Sequence, residues 1–371
     1  MTRTDIEALC AIARGSATAG ERQSAEWIAG RLERIGAHDV RLASFRYQPS
    51  WADRQLPHFA AGVLAAALKS RTLALGTLAS FALEFSGRAQ WLARVMPAGE
   101  GTNVVATLPA AGEPRRHLVL VAHHDAARSG LMWHPALVRH SFRHALDRGR
   151  VDSFALPPSL ALAAVATGTR AGRALGGAVL ALGSALAAGA ARGAVVPGAN
   201  DNATGVAAVL ALAGRFAAEP LPGTDVTLLF PGCEEAGMGG MAHWLAQNRG
   251  RLDPGATLVL GLDTLAAGEP CVLTGEALPH TVHYRAEDLA LADLGAERAG
   301  TEQPRRLRLG AWTDPILAVY AGLPAILMLS IGPEGFGPYH RLDDTPERVD
   351  WRSVDSCLRL AEGIARAFAG L

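Results

Sequence analysis

The feature that most constrains this 371-residue chain is a series of short apolar runs set between helical patterns. Leu118–Ala122 is continuously apolar, the signature of a strand buried on both faces of a sheet. Asn103–Leu108, Asp225–Phe230, Thr257–Leu262 and Ala325–Ser330 read as further strands, and Val40–Tyr47 as a loosely alternating one. Helices are predicted over 4–13, 20–35, 205–218, 239–248 and 351–368. In the closing one, Val354, Cys357, Leu358, Leu360, Ala361 and Ile364 form the core side. Strands that alternate with helices bury both their faces only in an α/β arrangement, a mostly parallel sheet covered on each side by helices. In such sheets reactive groups collect at the carboxyl ends of the strands.

Two segments break this rhythm. Residues 56–98 hold two Ala/Leu-rich runs around Lys69-Ser70-Arg71. Residues 131–197 open with a basic stretch (Arg139, His140, Arg143, His144, Arg148, Arg150) and continue as an Ala/Leu/Gly-rich part broken at Thr169–Arg173. Each is expected to be an inserted helical hairpin with a charged turn. The remainder, 1–55, 99–130 and 198–371, then forms one discontinuous α/β domain. A bilayer takes roughly 20 apolar residues in a row to span, and most runs here are shorter. The hairpins therefore suit two roles: a cap or homodimer surface, or membrane contact, with the 139–150 stretch facing anionic headgroups.

Charge excludes one class of partner. Lys+Arg and Asp+Glu are both 35, so the chain lacks the basic excess of a nucleic-acid binder. Its four cysteines, Cys10, Cys233, Cys271 and Cys357, are far apart and read as reduced thiols. No apolar signal core follows the N-terminal residues, so the expected location is cytoplasmic or membrane-associated.

Chemistry concentrates after the strands. His123-His124-Asp125 follows the first buried run, and there Asp125 can fix the tautomer of a metal-binding His123. Glu234-Glu235 follows Asp225–Phe230 through Pro231-Gly232-Cys233, and Asp263 follows Thr257–Leu262. Asp201 lies in Ala199–Gly205 at the mouth of an apolar helix, where an acid needs a partner or a metal. His340 sits in a polar loop after Ala325–Ser330. Each motif alone has a plain structural explanation. Together, His123, Asp201, Glu235, Asp263 and His340 supply what two zinc ions sharing Asp201 need, and mixed imidazole and carboxylate donors also accept manganese or cobalt. Glu234, beside a ligand but not one itself, is placed as general base. Cys233 next to these acids reads as packing, its thiol pKa raised. The other histidines, His134, His140, His144, His280 and His283, lack acids at metal spacing. Arg305-Arg306-Leu307-Arg308 reads as a solvated basic loop, or as a site for a substrate carboxylate.

The order and wording of these pieces resemble the co-catalytic zinc aminopeptidase family, which includes bacterial leucyl aminopeptidases, glutamate carboxypeptidases and glutaminyl cyclases. The matching stretches are Val121–Asp125, Gly198–Gly205, Phe230–Gly237, Gly261–Asp263, Thr313-Asp314 with Ala321–Pro324, and Tyr339-His340 with Asp344-Thr345. The resemblance implies a mixed, mostly parallel sheet between helices. It also implies one zinc on His123, Asp201 and Asp263, a second on Asp201, Glu235 and His340, Asp125 orienting His123, and Glu234 as base. The implied activity is exopeptidase, foremost aminopeptidase, on peptide or aminoacyl substrates. Alternatives are cyclisation of N-terminal glutamine, carboxypeptidase or amidohydrolase chemistry, or a non-catalytic scaffold. The chain departs from the family in the long stretch between Asp125 and Asp201 and in carrying Thr313 where serine is usual.

Overall fold

The structure is a computed structural model and describes residues 3–277 and 281–371. Among these, ten strands join one sheet: β1 (His38–Tyr47), β2 (Gly99–Leu108), β3 (Ala111–Val121), β4 (Arg150–Val151), β5 (Pro222–Phe230), β6 (Thr257–Leu262), β7 (Glu269–Glu276), β8 (Val282–His283), β9 (Arg305–Leu309) and β10 (Ala325–Ile331). Their order is β1-β2-β5-β3-β6-β10-β7-β9-β4, with β8 beside β7. The centre, β5-β3-β6-β10, is parallel. β1, β2 and β7 join antiparallel to their inner neighbours, and β9 and β4 continue parallel from β7. The sheet is thus mixed and mostly parallel, as expected.

Both faces are covered. Helices Ala19–Ile35, Thr204–Ala218 and Trp351–Ala369 pack on one face around Leu118, Leu120, Phe230 and Leu260. Helices Gly239–Asn248 and Asp314–Tyr320 pack on the other around Val119, Val121, Val259 and Leu327. The two-sided burial explains why the central strands carry apolar residues at consecutive positions. The closing helix is fixed at its start by Asp350, whose carboxylate accepts Arg352 N–H at 3.0 Å, and ends at left-handed Gly370.

Residues 131–197 are not a single hairpin. Trp133, Val138, Phe142 and Val151 belong to the second face's core, and β4 pairs with β9 at the sheet edge. Only Leu156–Ala166 and Arg170–Ala191 form the hairpin, and it packs on the other pair, Trp51–Ala67 and Arg71–Phe85, around Phe59, Phe81, Leu162 and Leu180. The helices cross so closely at Gly62 that an added Cβ would lie 2.6 Å from the Leu162 and Leu180 side chains. This four-helix unit is anchored to the sheet domain by Arg54. Its guanidinium pairs with Glu84 at 2.8 Å, fully buried, and also donates to the Ala236 carbonyl.

Arg305–Arg308 is a second correction: it is strand β9, not a loop. Leu307 and Leu309 alternate with the arginines and are buried, which is a strand pattern on a half-covered edge. Arg306 is taken up by Asp293.

Candidate metal centre

The topology delivers five of the site residues directly. β3 runs into His123, β5 into Glu234 and Glu235, β6 into Asp263, and the loop after β10 brings His340. All lie beyond the carboxyl ends of adjacent parallel strands. Asp201 comes from a separate turn, Ala199–Ala203, that opens the Thr204–Ala218 helix. Its peptide bond to Asn202 is cis.

That turn is held by its own polar residues. Asn200 donates to the Phe336 carbonyl at 2.8 Å and accepts Ala266 N–H at 2.7 Å. Asn202 donates to the Leu262 carbonyl at 3.0 Å and accepts the N–H groups of Gly205 and Thr264. Asp344 accepts the N–H groups of Asn200 and Asp201 at 2.9 and 3.1 Å. Buried Arg14 donates to the carbonyls of Pro197 and Gly198. Gly205 is required because a Cβ there would meet Asn202 Oδ1 at 2.2 Å. The Asn-Asp-Asn-Ala-Thr-Gly wording is therefore a loop-locking code as well as a source of one carboxylate.

The five expected metal-binding side chains converge. His123 Nε2 lies 3.3 Å from Asp201 Oδ1 and 3.6 Å from Asp263 Oδ1. His340 Nε2 lies 3.1 Å from both Asp201 Oδ2 and Glu235 Oε2. The result is two triads that share Asp201 through different oxygens. Among the described residues these are the two groups able to hold a metal.

Electrostatics follow from crowding these charges out of water. Burial raises Glu234 well above the usual carboxylate range, and Asp314, Glu235 and Asp263 push the same way against His123. Burial likewise lifts Glu235 to about 7, opposed by His340. For His340 burial alone favours the neutral ring, but Glu235 and Asp201 outweigh it and raise it to about 10. Asp201 is the exception: burial would raise it, yet hydrogen bonds from His123 and His340 hold it below the normal range.

Asp125 does more than face the imidazole. His123 Nδ1 is 3.2 Å from the Asp125 carbonyl oxygen and 3.5 Å from its Oδ1. The same carboxylate accepts Ser16 Oγ–H at 2.6 Å and the N–H groups of Glu234 and Glu235. Glu21 carries part of this load from the other side, accepting Thr102 N–H and both the N–H and the thiol of Cys233. Cys233 is buried with its thiol pKa raised, by burial first and by Glu21 and Asp125 next, so its packing role stands. No pattern in the sequence marked Glu21 or Arg14 for these tasks, and Asp344, though part of a matching stretch, carried no role there, since all three act mainly through backbone groups.

The centre floors a cleft whose open space, solvent at its mouth included, is about 590 Å³. Its walls are apolar and aromatic, with Phe142 and Phe154 from the inserted segment facing Trp312, Phe336 and Leu329. Tyr339 stacks on His340 at 3.8 Å between ring centres, and Trp133 meets the same imidazole edge-on at 4.3 Å. The charged groups lining the cleft are all acidic apart from His123 and His340. Asp314, also buried nearby, has both carboxylate oxygens without a hydrogen-bond partner.

The other histidines take structural roles. His134 caps a helix by accepting Ala136 N–H, His144 pairs with Asp147 at 3.2 Å, and His283 donates to the Thr274 carbonyl. His280 and the side chain of His140 lie outside the described residues. Arg305, Arg306 and Arg308 do not line the cleft.

Comparison with known proteins agrees with the resemblance read from the motifs. Residues 184–365 match the model of peptidase family M28. No curated protein matches the chain in sequence. Among solved structures, an aminopeptidase from Aneurinibacillus sp. strain AM-1 superposes with TM-score 0.56 at 14% identity, covering 98% of this chain and 92% of that one. A Bacteroides thetaiotaomicron glutaminyl cyclase gives 0.59 at 14%, covering 98% and 96%. A Zn-dependent exopeptidase from Parabacteroides distasonis gives 0.56 at 14%, covering 98% and 97%. At this identity the likeness is one of fold.

Proposed function

We propose that the chain, whose residues 184–365 match the model of peptidase family M28, is a di-zinc aminopeptidase, cleaving the amino-terminal residue from peptides or aminoacyl amides. The observation that carries this is the pair of triads, His123–Asp201–Asp263 and Asp201–Glu235–His340, joined at one carboxylate.

The residues fit a pair of cations. Glu235 Oε1 and Asp263 Oδ1 are buried with no hydrogen-bond partner. Asp201 is buried and Glu234, Glu235 and Asp263 are partly buried beside it, four acids opposed by two imidazoles, an arrangement that is costly until positive charge enters. Imidazole and carboxylate donors suit zinc, and manganese or cobalt take the same set. When bound, the cations supply Lewis acidity that polarises the scissile carbonyl and makes a water acidic enough to attack at neutral pH.

The chain does the rest. Glu234 stands in the cleft outside both triads, so its carboxylate accepts the proton of the attacking water and then returns it to the departing amine. Asp125 holds the Glu234–Glu235 backbone in place. The acidic lining favours a substrate's terminal ammonium and offers no cation to a terminal carboxylate, which supports amino- over carboxypeptidase action.

The test is metal analysis of the purified protein combined with the Glu234→Gln variant. Two zincs per chain are expected. The variant should keep both and lose about 10²–10⁴-fold in kcat. Full activity in that variant, or protein that hydrolyses in the presence of chelator, overturns the reading. Assays of N-terminal glutamine peptides beside aminoacyl reporters separate cyclase from peptidase action.

A further inference from the structure

The four-helix unit carries an outer surface unlike that of the sheet domain. Leu64, Leu68, Leu75, Leu160, Leu175 and Leu182 are each between 51% and 68% exposed. The stretches Leu56–Leu68, Thr72–Leu83, Leu156–Thr169 and Ala174–Ala191 contain no Asp, Glu, Lys or Arg at all. Exposed positions between the leucines of the longest helix are filled by Ala171, Ala174, Ala178, Ala181 and Ala185. A helix in water places charge on its outward face, whereas one apolar all round is buried in protein or in lipid.

Charge returns only at the ends. The turn between the first two helices holds Lys69 and Arg71, and the turn between the second two holds Arg170 and Arg173. The turns are neighbours, since Arg71 Nε donates to the Ala166 carbonyl at 2.9 Å. No acid accompanies them. At the opposite end, next to the sheet domain, stand exposed Arg88, Arg94 and Arg192 with half-exposed Trp91. Basic residues and tryptophan bracketing an apolar band are the pattern of a membrane interface. The charge-free part of the Arg170–Ala191 helix is about 27 Å long at 1.5 Å per residue, close to the hydrocarbon thickness of a bilayer. Ser184, Ser159 and His58, polar side chains inside the band, are satisfied within it. Ser184 donates to the Leu180 carbonyl at 2.9 Å and Ser159 to the Ala155 carbonyl at 2.8 Å. His58 meets both Ser80 Oγ and the Arg54 carbonyl.

We propose that the outward faces of these four helices are covered by the acyl chains of a lipid bilayer, with Lys69, Arg71, Arg170 and Arg173 among anionic headgroups. A second copy of the chain is the other occupant an apolar face can take. It would cover one side of the bundle and leave charge on the rest, but here the stretches Leu56–Leu68, Thr72–Leu83, Leu156–Thr169 and Ala174–Ala191 lack charge around their whole circumference. The basic ends also repel their counterparts in a second copy, while they complement anionic lipid.

The experiment is flotation of the detergent-solubilised full chain after reconstitution with vesicles of phosphatidylcholine alone or mixed with phosphatidylglycerol. The wild type should float with both and retain more protein on the anionic vesicles. Leu160→Glu with Leu182→Glu, at exposed positions remote from the cleft, should lower the floating fraction at least tenfold with an unchanged circular-dichroism spectrum. Lys69→Glu with Arg170→Glu, which disturbs no packing, should abolish only the anionic surplus. A wild type that stays at the bottom of the gradient overturns the proposal, as does a leucine double variant that floats like the wild type. So does a lipid-free dimer that the double variant dissolves, which would assign the face to a second copy.

Discussion

The carboxylate of Asp125 accepts the backbone N–H of Glu234 at 3.0 Å. A residue just beyond β3 thereby sets the position of the proposed base, which lies beyond β5. Burial would raise this carboxyl, but hydrogen bonding and charge from His123 hold it below its ordinary range, so it is a committed acceptor. Asp125→Asn presents an amide N–H₂ to the donors of Glu234 and Glu235. Steady-state kinetics should show kcat reduced about 10- to 100-fold, with KM little changed and metal content partly lost.

The Arg54–Glu84 pair gives a second prediction. The two side chains are 2% and 0% exposed, and the arginine also holds the Ala236 carbonyl two residues past Glu234. Removing one partner strands a buried charge, which costs about 3–5 kcal/mol. Glu84→Gln should lower thermal stability by that order, and a denaturation curve reads it directly. Replacing both residues by apolar ones of similar size should recover much of the loss.

Cleft shape predicts selectivity. Phe154 lines the cleft and packs against Trp133 at 5.4 Å and Phe142 at 6.3 Å. A large apolar side chain of a substrate would rest against this wall. Phe154→Ala should therefore cut kcat/KM for a leucyl reporter about tenfold and leave an alanyl reporter nearly unaffected. An equal loss for both would show that Phe154 only supports the loop.

Stability should fall as pH rises through neutrality. Burial raises Glu276 from 4.5 to about 8, against donors from Tyr284 and Thr313. Its carboxyl is thus protonated in the folded chain at pH values where the unfolded chain has released the proton. That contribution is complete below about pH 4.5 and is lost as pH climbs through about 8. Melting temperatures measured from pH 5 to pH 9 should decline, and Glu276→Gln should flatten the slope.

What the sequence disclosed depended on how local the signal was. Thr257–Leu262 and Gly239–Asn248 match their elements to the residue, because burial on both faces and a helical stripe are written in consecutive positions. The strand-end rule placed His123, Glu234 and Asp263, since topology carries them to one spot whatever the loops do. β9 reads as a loop in the sequence because three arginines mask two buried leucines. β4 and the aromatic wall from Trp133 to Phe154 lay inside a stretch taken as hairpin. Their partners, β9 and the His340 loop, are more than 150 residues away in sequence, and apolar content does not say which surface a side chain will meet.

The pairing of β4 with β9 sets an order of events for a chain leaving the ribosome. Val151 finds its neighbour only when Leu309 has been made. Until then the stretch that carries Phe142 and Phe154 has no edge to settle on, and the half-built centre stays open to water. His123, Asp201 and Asp263 are made before Leu309, but a closed chamber around them is a late product of synthesis.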